Sequence, residues 1–492
     1  MSEKAGTSIG QLIRASAISG AGSAVYILSG IIKTKVIAIF LGPSGVGLFG
    51  LFQSILSTTG TISGMGLGTS GVRQIAEARA GASSDSLGVT AAALWWASFL
   101  LGLLGAIVVI LFRAPLAELS MGSADLSDGM LWIGFGVWFL VVSNAQTGLL
   151  NGMHHIGDIA KVSMASALAS LPITILLVWL YRDDGIAAAV AFTALSSLAA
   201  SWWYSNKLRI PRASLTWDRM TGPLRSLFGL GVIFMASSVM TIGSQFLVRV
   251  ILTRTMDIAA TGHFQAAWSI SILYLGFVLN AMGTNYYPRL TVLVKDRQAS
   301  NRLVNEQFQV ALTLTGPVIL VMLTFTPHVV HLLFSGAFVA TIDILRLQLL
   351  GDVFKVASWP LAYLLPAHGY GKAFFSIESS WNIIYIAIVW FGLPVWGINA
   401  TGVAFIAAYL VYFVLTWSLV RRISGFSLSV LNARLMMLYA LFVPAVFWIR
   451  QSDGTVAFGI AMGLTALATY YSISRLYLSL GGLSWRKIMH RS

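Results

Sequence analysis

Long apolar stretches separated by short polar breaks run along almost the whole chain. They lie at about 15–41, 45–72, 88–112, 130–150, 162–181, 186–205, 227–253, 262–286, 307–326, 344–366, 373–396, 400–420, 432–449 and 455–477. A helix needs roughly 20 residues to cross a hydrocarbon core of about 30 Å. The pattern therefore predicts fourteen transmembrane helices. Lipid offers the backbone no hydrogen-bond partner, so apolar segments of this length are expected as helices rather than as an open sheet. The longest breaks on the expected outer face, 113–129 and 327–343, each have room for a small interfacial helix at most. No extramembrane domain is predicted, and the function is expected within the membrane.

Composition agrees. The chain is 57% hydrophobic and 10% charged, where a soluble domain is about a quarter charged. Soluble, fibrous and disordered classes are excluded. There is no Cys, which removes disulfides, thiolate metal sites and cysteine nucleophiles. Seven His and 17 acids in 492 residues leave little material for hydrolysis or metal binding. His154, His155, His263 and His368 are too scattered for a metal site. No nucleotide-phosphate loop, nucleophile elbow or zinc signature occurs. The expectation is a transporter with no cofactor and no metal, not an enzyme. The polar start MSEKAGTSIGQLIRAS carries no signal-peptide pattern.

The net charge of +14 raises the question of a nucleic-acid partner. Assigning alternate loops places 22 Lys and Arg on one face and four on the other, namely Arg113, Arg182, Arg254 and Arg450. That asymmetry is the positive-inside rule, with both termini in the cytoplasm of a bacterial inner membrane. Topology accounts for the charge, and no nucleic-acid partner is expected.

The two halves repeat. Gly47 falls on Gly262, Phe49 on Phe264 and Ser54-Ile55 on Ser269-Ile270 at an offset of 215; Leu149-Leu150 falls on Leu364-Leu365 at the same offset, each pair followed by a small His-containing turn. AVAF (189–192) matches GVAF (402–405) at 213. Helices one and seven both run outward, so the repeats are parallel, about an axis along the membrane normal. The expected division is 1–206 for the first six-helix lobe, 207–422 for the second, and 423–492 for a helix pair and cytoplasmic tail. Two such lobes suit alternating access to a cavity between them.

The run KTKVIAIFLGPSGVGLFGLFQSI (33–55), followed by GMGLGTSGVRQIAEA (64–78), resembles the opening of Wzx-type polysaccharide flippases of the multidrug/oligosaccharidyl-lipid/polysaccharide exporter superfamily. The 6 + 6 + 2 layout is similar over the whole chain. The resemblance implies that an undecaprenyl-pyrophosphate-linked oligosaccharide, O-antigen or a similar repeat unit, passes from the cytoplasmic to the outer leaflet. It also implies that helices 1, 2, 7 and 8 line the cavity, and that a polysaccharide polymerase is a possible partner. Lys35, seven residues before Gly42, matches a lysine typical of enterobacterial-type members; Lys33 sits where lipid II flippases often carry Arg.

Charges inside the spans are the most informative residues. A charge at helix centre costs about 2.5–3.5 kcal/mol on insertion scales, so it faces a cavity or a partner. The cations are Lys33, Lys35, Arg249, Arg346 and Lys355, against the acids Asp352 and Glu378. This imbalance suits an anionic pyrophosphate better than a cationic drug, because a low-dielectric cavity magnifies attraction to fixed cations. Lys33 and Lys35 lie about 200° apart around a helix, so only one can face the lumen. The expected substrate-binding set is Lys35, Arg249, Lys33, Lys355, Arg14 and Arg254. Arg14 and Arg254 also read as topology and interface anchors, and Arg346 as a snorkelling side chain. Lys355 follows Asp352 by three residues, close enough to neutralise it. Glu378 and Asp352 are the candidates for ion coupling. Gln53, Asn144, Gln146, Gln245, Gln265, Asn280 and Asn285 read as sugar-binding groups or as bonds between helices.

Two rival functions are weighed against the same residues. An ion-coupled multidrug or metabolite antiporter of the same fold wants a carboxylate within the first six helices, and none is found. A membrane glycan polymerase or ligase wants a sizeable outer loop with catalytic bases, and the outer loops are short.

Overall fold

The computed structural model describes residues 2–80, 84–208, 210, 217–452 and 454–479; at 2–21, 23, 84, 217–218, 233, 277–285 and 476–479 it describes the backbone alone. The described residues are almost entirely α-helical and include no strand. In order, the helices are α1 (Ser2–Ser63), α2 (Leu67–Ala80), α3 (Ser84–Leu111), α4 (Arg113–Met121), α5 (Ser127–Gly152), α6 (Ile156–Tyr181), α7 (Gly185–Ser205), α8 (Trp217–Thr255) and α9 (Ile258–Leu293). They continue with α10 (Arg297–Thr324), α11 (Thr326–Leu333), α12 (Val339–Ala362), α13 (Leu364–Ala367), α14 (Gly371–Trp396), α15 (Ala400–Ser424), α16 (Val430–Ile449) and α17 (Thr455–Ser479).

Among the described residues nine stretches are long and apolar enough to cross a membrane, and two of these, Ile156–Ser205 and Gly371–Ser424, each hold two helices. The chain is a multi-pass membrane protein. Fourteen crossings remains the expectation of the sequence. The breaks at 113–129 and 327–343, with room for a small helix at most, hold α4 and α11, each followed by a 3-10 turn.

The helix expected over 45–72 is interrupted. Met65 (φ 44) and Gly66 (φ 67) separate α1 from α2. Within α1 the axis breaks at Gly42 (φ 64, ψ −159), a conformation open in practice only to glycine. Pro43 then starts the second limb, where its missing N–H costs nothing.

The chain divides into two compact units, Met1–Gly262 with Leu333–Ala337, and His263–Leu332 with Phe338–Ser492. In the first unit, Leu51, Phe52, Ile55 and Leu56 of α1 pack with Met130, Ile133 and Val137 of α5 and Ile186 and Val190 of α7. A second cluster joins Leu67 and Ile75 of α2 and Leu94 of α3 to Leu227 of α8. In the second unit, the ring of Tyr439 on α16 fills the space where a Cβ on Gly316 of α10 would stand, and the Tyr439 hydroxyl lies 2.5 Å from Ser472 Oγ of α17.

Lipid tails are as apolar as leucine, so helices in a membrane associate through close packing and small residues rather than through hydrophobic burial. The first unit takes this to its limit. A Cβ on Gly47 would run into Ile258 O, and a Cβ on Gly262 would run into Pro43 O; each would also stand 3.0 Å from the backbone nitrogen of the opposite glycine. Ile258 is Pro43 plus 215, as Gly262 is Gly47 plus 215. Repeat-equivalent residues therefore meet one another across a local two-fold seam. A second seam sets Gly231 of α8 against Met65 and Gly66, again backbone to backbone.

The repeat is also written in the turns. Arg182 (φ 52, ψ −130) ends α6 and Gly397 (φ 53, ψ −144), 215 residues on, ends α14; each is followed by a 3-10 turn. His154 (φ 58) and Gly369 (φ 82) occupy the same left-handed turn position. His155 N–H donates to Leu150 O at 2.9 Å, and Tyr370 N–H to Leu365 O at 2.9 Å. The duplicated backbone is kept even where Arg or His replaces a glycine.

Overpacking a filled contact costs about 1–3 kcal/mol. Gly262→Ala should therefore lower the thermal midpoint of the purified protein, whereas Gly229→Ala, which has open space around it, should leave it level or slightly raised. Equal midpoints for the two variants in a side-by-side melt would disprove the seam.

Candidate functional site

In the first unit Lys33 is a buried charge, 6% exposed. Its Nζ donates to Ser170 Oγ of α6 at 2.6 Å and to Thr193 Oγ1 of α7 at 3.2 Å. Both hydroxyls spend their hydrogens on their own helices, Ser170 on Ser166 O at 2.6 Å and Thr193 on Ala189 O at 2.9 Å. Their lone pairs are therefore left for the ammonium. One turn earlier, Ser29 Oγ donates to Ala167 O at 3.0 Å and pins α1 to α6. No carboxylate ion-pairs with Lys33 among the described residues, so this is a buried cation solvated by hydroxyl dipoles alone. Lys35 is half-buried on another face of α1, as the spacing requires.

Arg249 of α8 is also buried, 6% exposed, and its Nη1 donates to Gln245 O one turn back at 2.8 Å. Thr261 bonds Thr253 at 2.7 Å and Arg249 O at 3.4 Å, fixing the α8–α9 corner. Arg254 is exposed and donates to Glu118 O at 2.8 Å, which ties α4 to the end of α8. Asp257, its expected neighbour, instead caps α9 by accepting from Ala260 N–H at 2.6 Å. The Arg14 side chain lies outside the described residues.

The second unit holds the acids. Asp352 of α12 is fully buried; it accepts from the Tyr274 hydroxyl and from Ser271 Oγ at 3.2 Å, both on α9. Lys355 Nζ stands 4.0 Å away, over the rings of Phe405 and Tyr409 at 5.6 and 5.5 Å. Glu378 of α14 is half-buried; it accepts from the Tyr412 hydroxyl at 2.5 Å, and its carbonyl accepts from Asn382 at 2.8 Å. Arg346 lies 3.7 Å from Asp343.

The structure thus places Lys33 and Arg249 in one unit and Asp352, Lys355 and Glu378 in the other. Of the amide candidates, buried Gln146 accepts from Ser201 at 2.6 Å and joins α5 to α7, whereas Gln53 and Asn144 are exposed. The Asn280 and Asn285 side chains lie outside the described residues. Ser170, Thr193, Tyr274, Tyr409 and Tyr412 were not singled out by sequence. One signal was available, a stripe of Ser166, Ser170 and Thr174 at four-residue spacing on an otherwise apolar helix. Among the described residues no cluster of His, Asp and Glu could hold a metal.

A family model described as polysaccharide biosynthesis protein matches residues 14–294. The chain belongs to that family. It is 24% identical over 412 residues to the lipid III flippase of Escherichia coli (strain K12), covering 82% of this chain and 97% of that protein. Among solved structures it is similar to the lipid II flippase MurJ in an inward closed conformation, with a TM-score of 0.71 at 15% identity over 95% of this chain and 99% of that one. It is also similar to an inward-facing multidrug resistance transporter of the MATE family, with a TM-score of 0.69 at 14% identity over 81% and 94%. These relatives are flippases and transporters, not enzymes.

Hydrogen bonds to a charged group contribute about 1.5–3 kcal/mol. Replacing Ser170 and Thr193 together by Ala and Val should destabilise the protein by roughly that amount, and the same pair in a Lys33→Met background should cost far less. Unfolding titrations in detergent measure both, and equal losses in the two backgrounds would show that the hydroxyls do not serve Lys33.

Proposed function

We propose that the protein is a flippase that moves a polyprenyl-pyrophosphate-linked oligosaccharide, an O-antigen or similar repeat unit, from the cytoplasmic to the outer leaflet of the bacterial inner membrane. The observation that carries this reading is Lys33, a buried cation that ion-pairs with no carboxylate among the described residues. With buried Arg249 it forms a fixed positive lining for an anion. A pyrophosphate in low dielectric gains from such charges what it loses in hydration. Family membership and the flippases among its relatives support a lipid-linked cargo.

The six-helix repeats, 1–206 and 207–422, alternate access to the substrate, with 423–492 attached to the second. Lys33 holds the phosphates with Arg249, and Lys35, on another face of α1, is the alternative to Lys33 rather than its companion. Arg14 meets the head group at the cytoplasmic entrance, and Arg254 holds the outer rim. Glu378 is the candidate for ion coupling. Both termini are cytoplasmic, as the 22:4 split of basic residues supports. A polysaccharide polymerase would take the product on the far side. The runner-up, an antiporter for organic cations, fits less well, because among the described residues no carboxylate ion-pairs with Lys33 to receive its cargo.

A charge reversal at the lining turns attraction into repulsion, and each 1.4 kcal/mol lost is about tenfold in occupancy. Lys33→Glu and Arg249→Glu should each lower polysaccharide export to about a tenth or less while the protein still inserts and accumulates. Surface polymer is measured in a strain lacking the native copy; wild-type polymer in both variants would refute the cationic lining.

A further inference from the structure

The Asp352 pocket in the second unit is built like a receptor for a small cation, yet the chain itself fills it. Asp352 is fully buried and accepts two hydroxyl hydrogens, from Tyr274 and Ser271. The faces of Phe405 and Tyr409 border the ammonium that stands beside this carboxylate. A carboxylate, hydroxyl oxygens and two aromatic faces are together the chemistry that recognises a monovalent cation, whether an alkali ion or a primary ammonium. The Lys355 ammonium occupies that position, 4.0 Å from Asp352 Oδ1 and 5.6 and 5.5 Å from the two ring centroids. It arrives from the same helix, three residues on, so it lies one turn from the carboxylate in every state in which α12 is intact.

We propose that Lys355 is a tethered counter-ion which plugs a monovalent-cation site, so that the protein takes no free Na⁺, K⁺ or organic ammonium at Asp352. The plug sets specificity. A transporter with this pocket open would hold a cation inside the membrane; with the pocket closed from within, Asp352 is neutral toward cargo. Transport energised through a soluble cation then has to use another group. Lys355 correspondingly belongs to this cage rather than to the pyrophosphate lining. The inference stands on the geometry of the second unit and does not depend on the flippase reading.

The test uses the full-length protein in phosphatidylcholine nanodiscs and reads the thermal midpoint at constant ionic strength. Wild type should melt at the same temperature in NaCl, KCl and choline chloride. Lys355→Ala removes methylenes and the ammonium, and n-propylammonium chloride supplies them again. The variant's midpoint should rise by about 2 °C or more with n-propylammonium or Na⁺, saturably. Lys355→Met, which keeps the volume filled, should show no rise, and Lys355→Ala with Asp352→Asn should show none either. A folded Lys355→Ala that ignores both cations overturns the proposal. So does a wild-type midpoint that rises in Na⁺ and loses the rise in Asp352→Asn, and this arm decides the matter even where Lys355→Ala fails to accumulate. Polysaccharide export is read in neither arm, so failure here leaves the flippase reading intact.

Discussion

Backbone-to-backbone approach between glycines is the constraint on which the first unit depends. Where Gly47 faces Gly262 and Gly231 faces Met65 and Gly66, no side chain intervenes and the helices touch through their main chains. In lipid this is a strong form of helix association, because dispersion contacts are gained without any apolar surface leaving water. It also fixes α8 and the start of α9 against α1 and α2, which sets Arg249 at its depth in the unit.

The interior charges follow a second logic. A desolvated ion needs compensation, and the two units supply it differently. Lys33 is met by hydroxyl lone pairs that bring partial charge only, so its positive potential persists. Asp352 and Lys355 meet each other, and aromatic faces and hydroxyls complete the shell. One unit keeps a charge available, and the other cancels it. Charge counts along the sequence treat these lysines alike; only their surroundings separate them.

Much of the fold was legible in the sequence, because lipid leaves so few choices. Apolar runs of about twenty residues had to be helices, and the 215-residue offset marked turns that the structure reproduces down to Arg182 and Gly397. The break at Met65 was not legible, since GMGLG reads equally as a flexible helix or as a left-handed interruption until α8 packs on it. The site was half legible. Rarity flagged Lys33, Arg249, Asp352, Lys355 and Glu378, but their partners sit on other helices; the four-residue stripe of α6 marked Ser170, and no local spacing revealed Thr193, Tyr274 or Tyr409.

The two-fold seam has a consequence for ancestry. Had the repeats once been separate identical chains paired as a dimer, Gly47 and Gly262 would have been a single residue meeting its own copy on the axis. Any mutation there would have inserted two side chains into one gap at the same moment. Fusion of such a pair would separate the positions in the gene but not in space, so each glycine would go on keeping the other small.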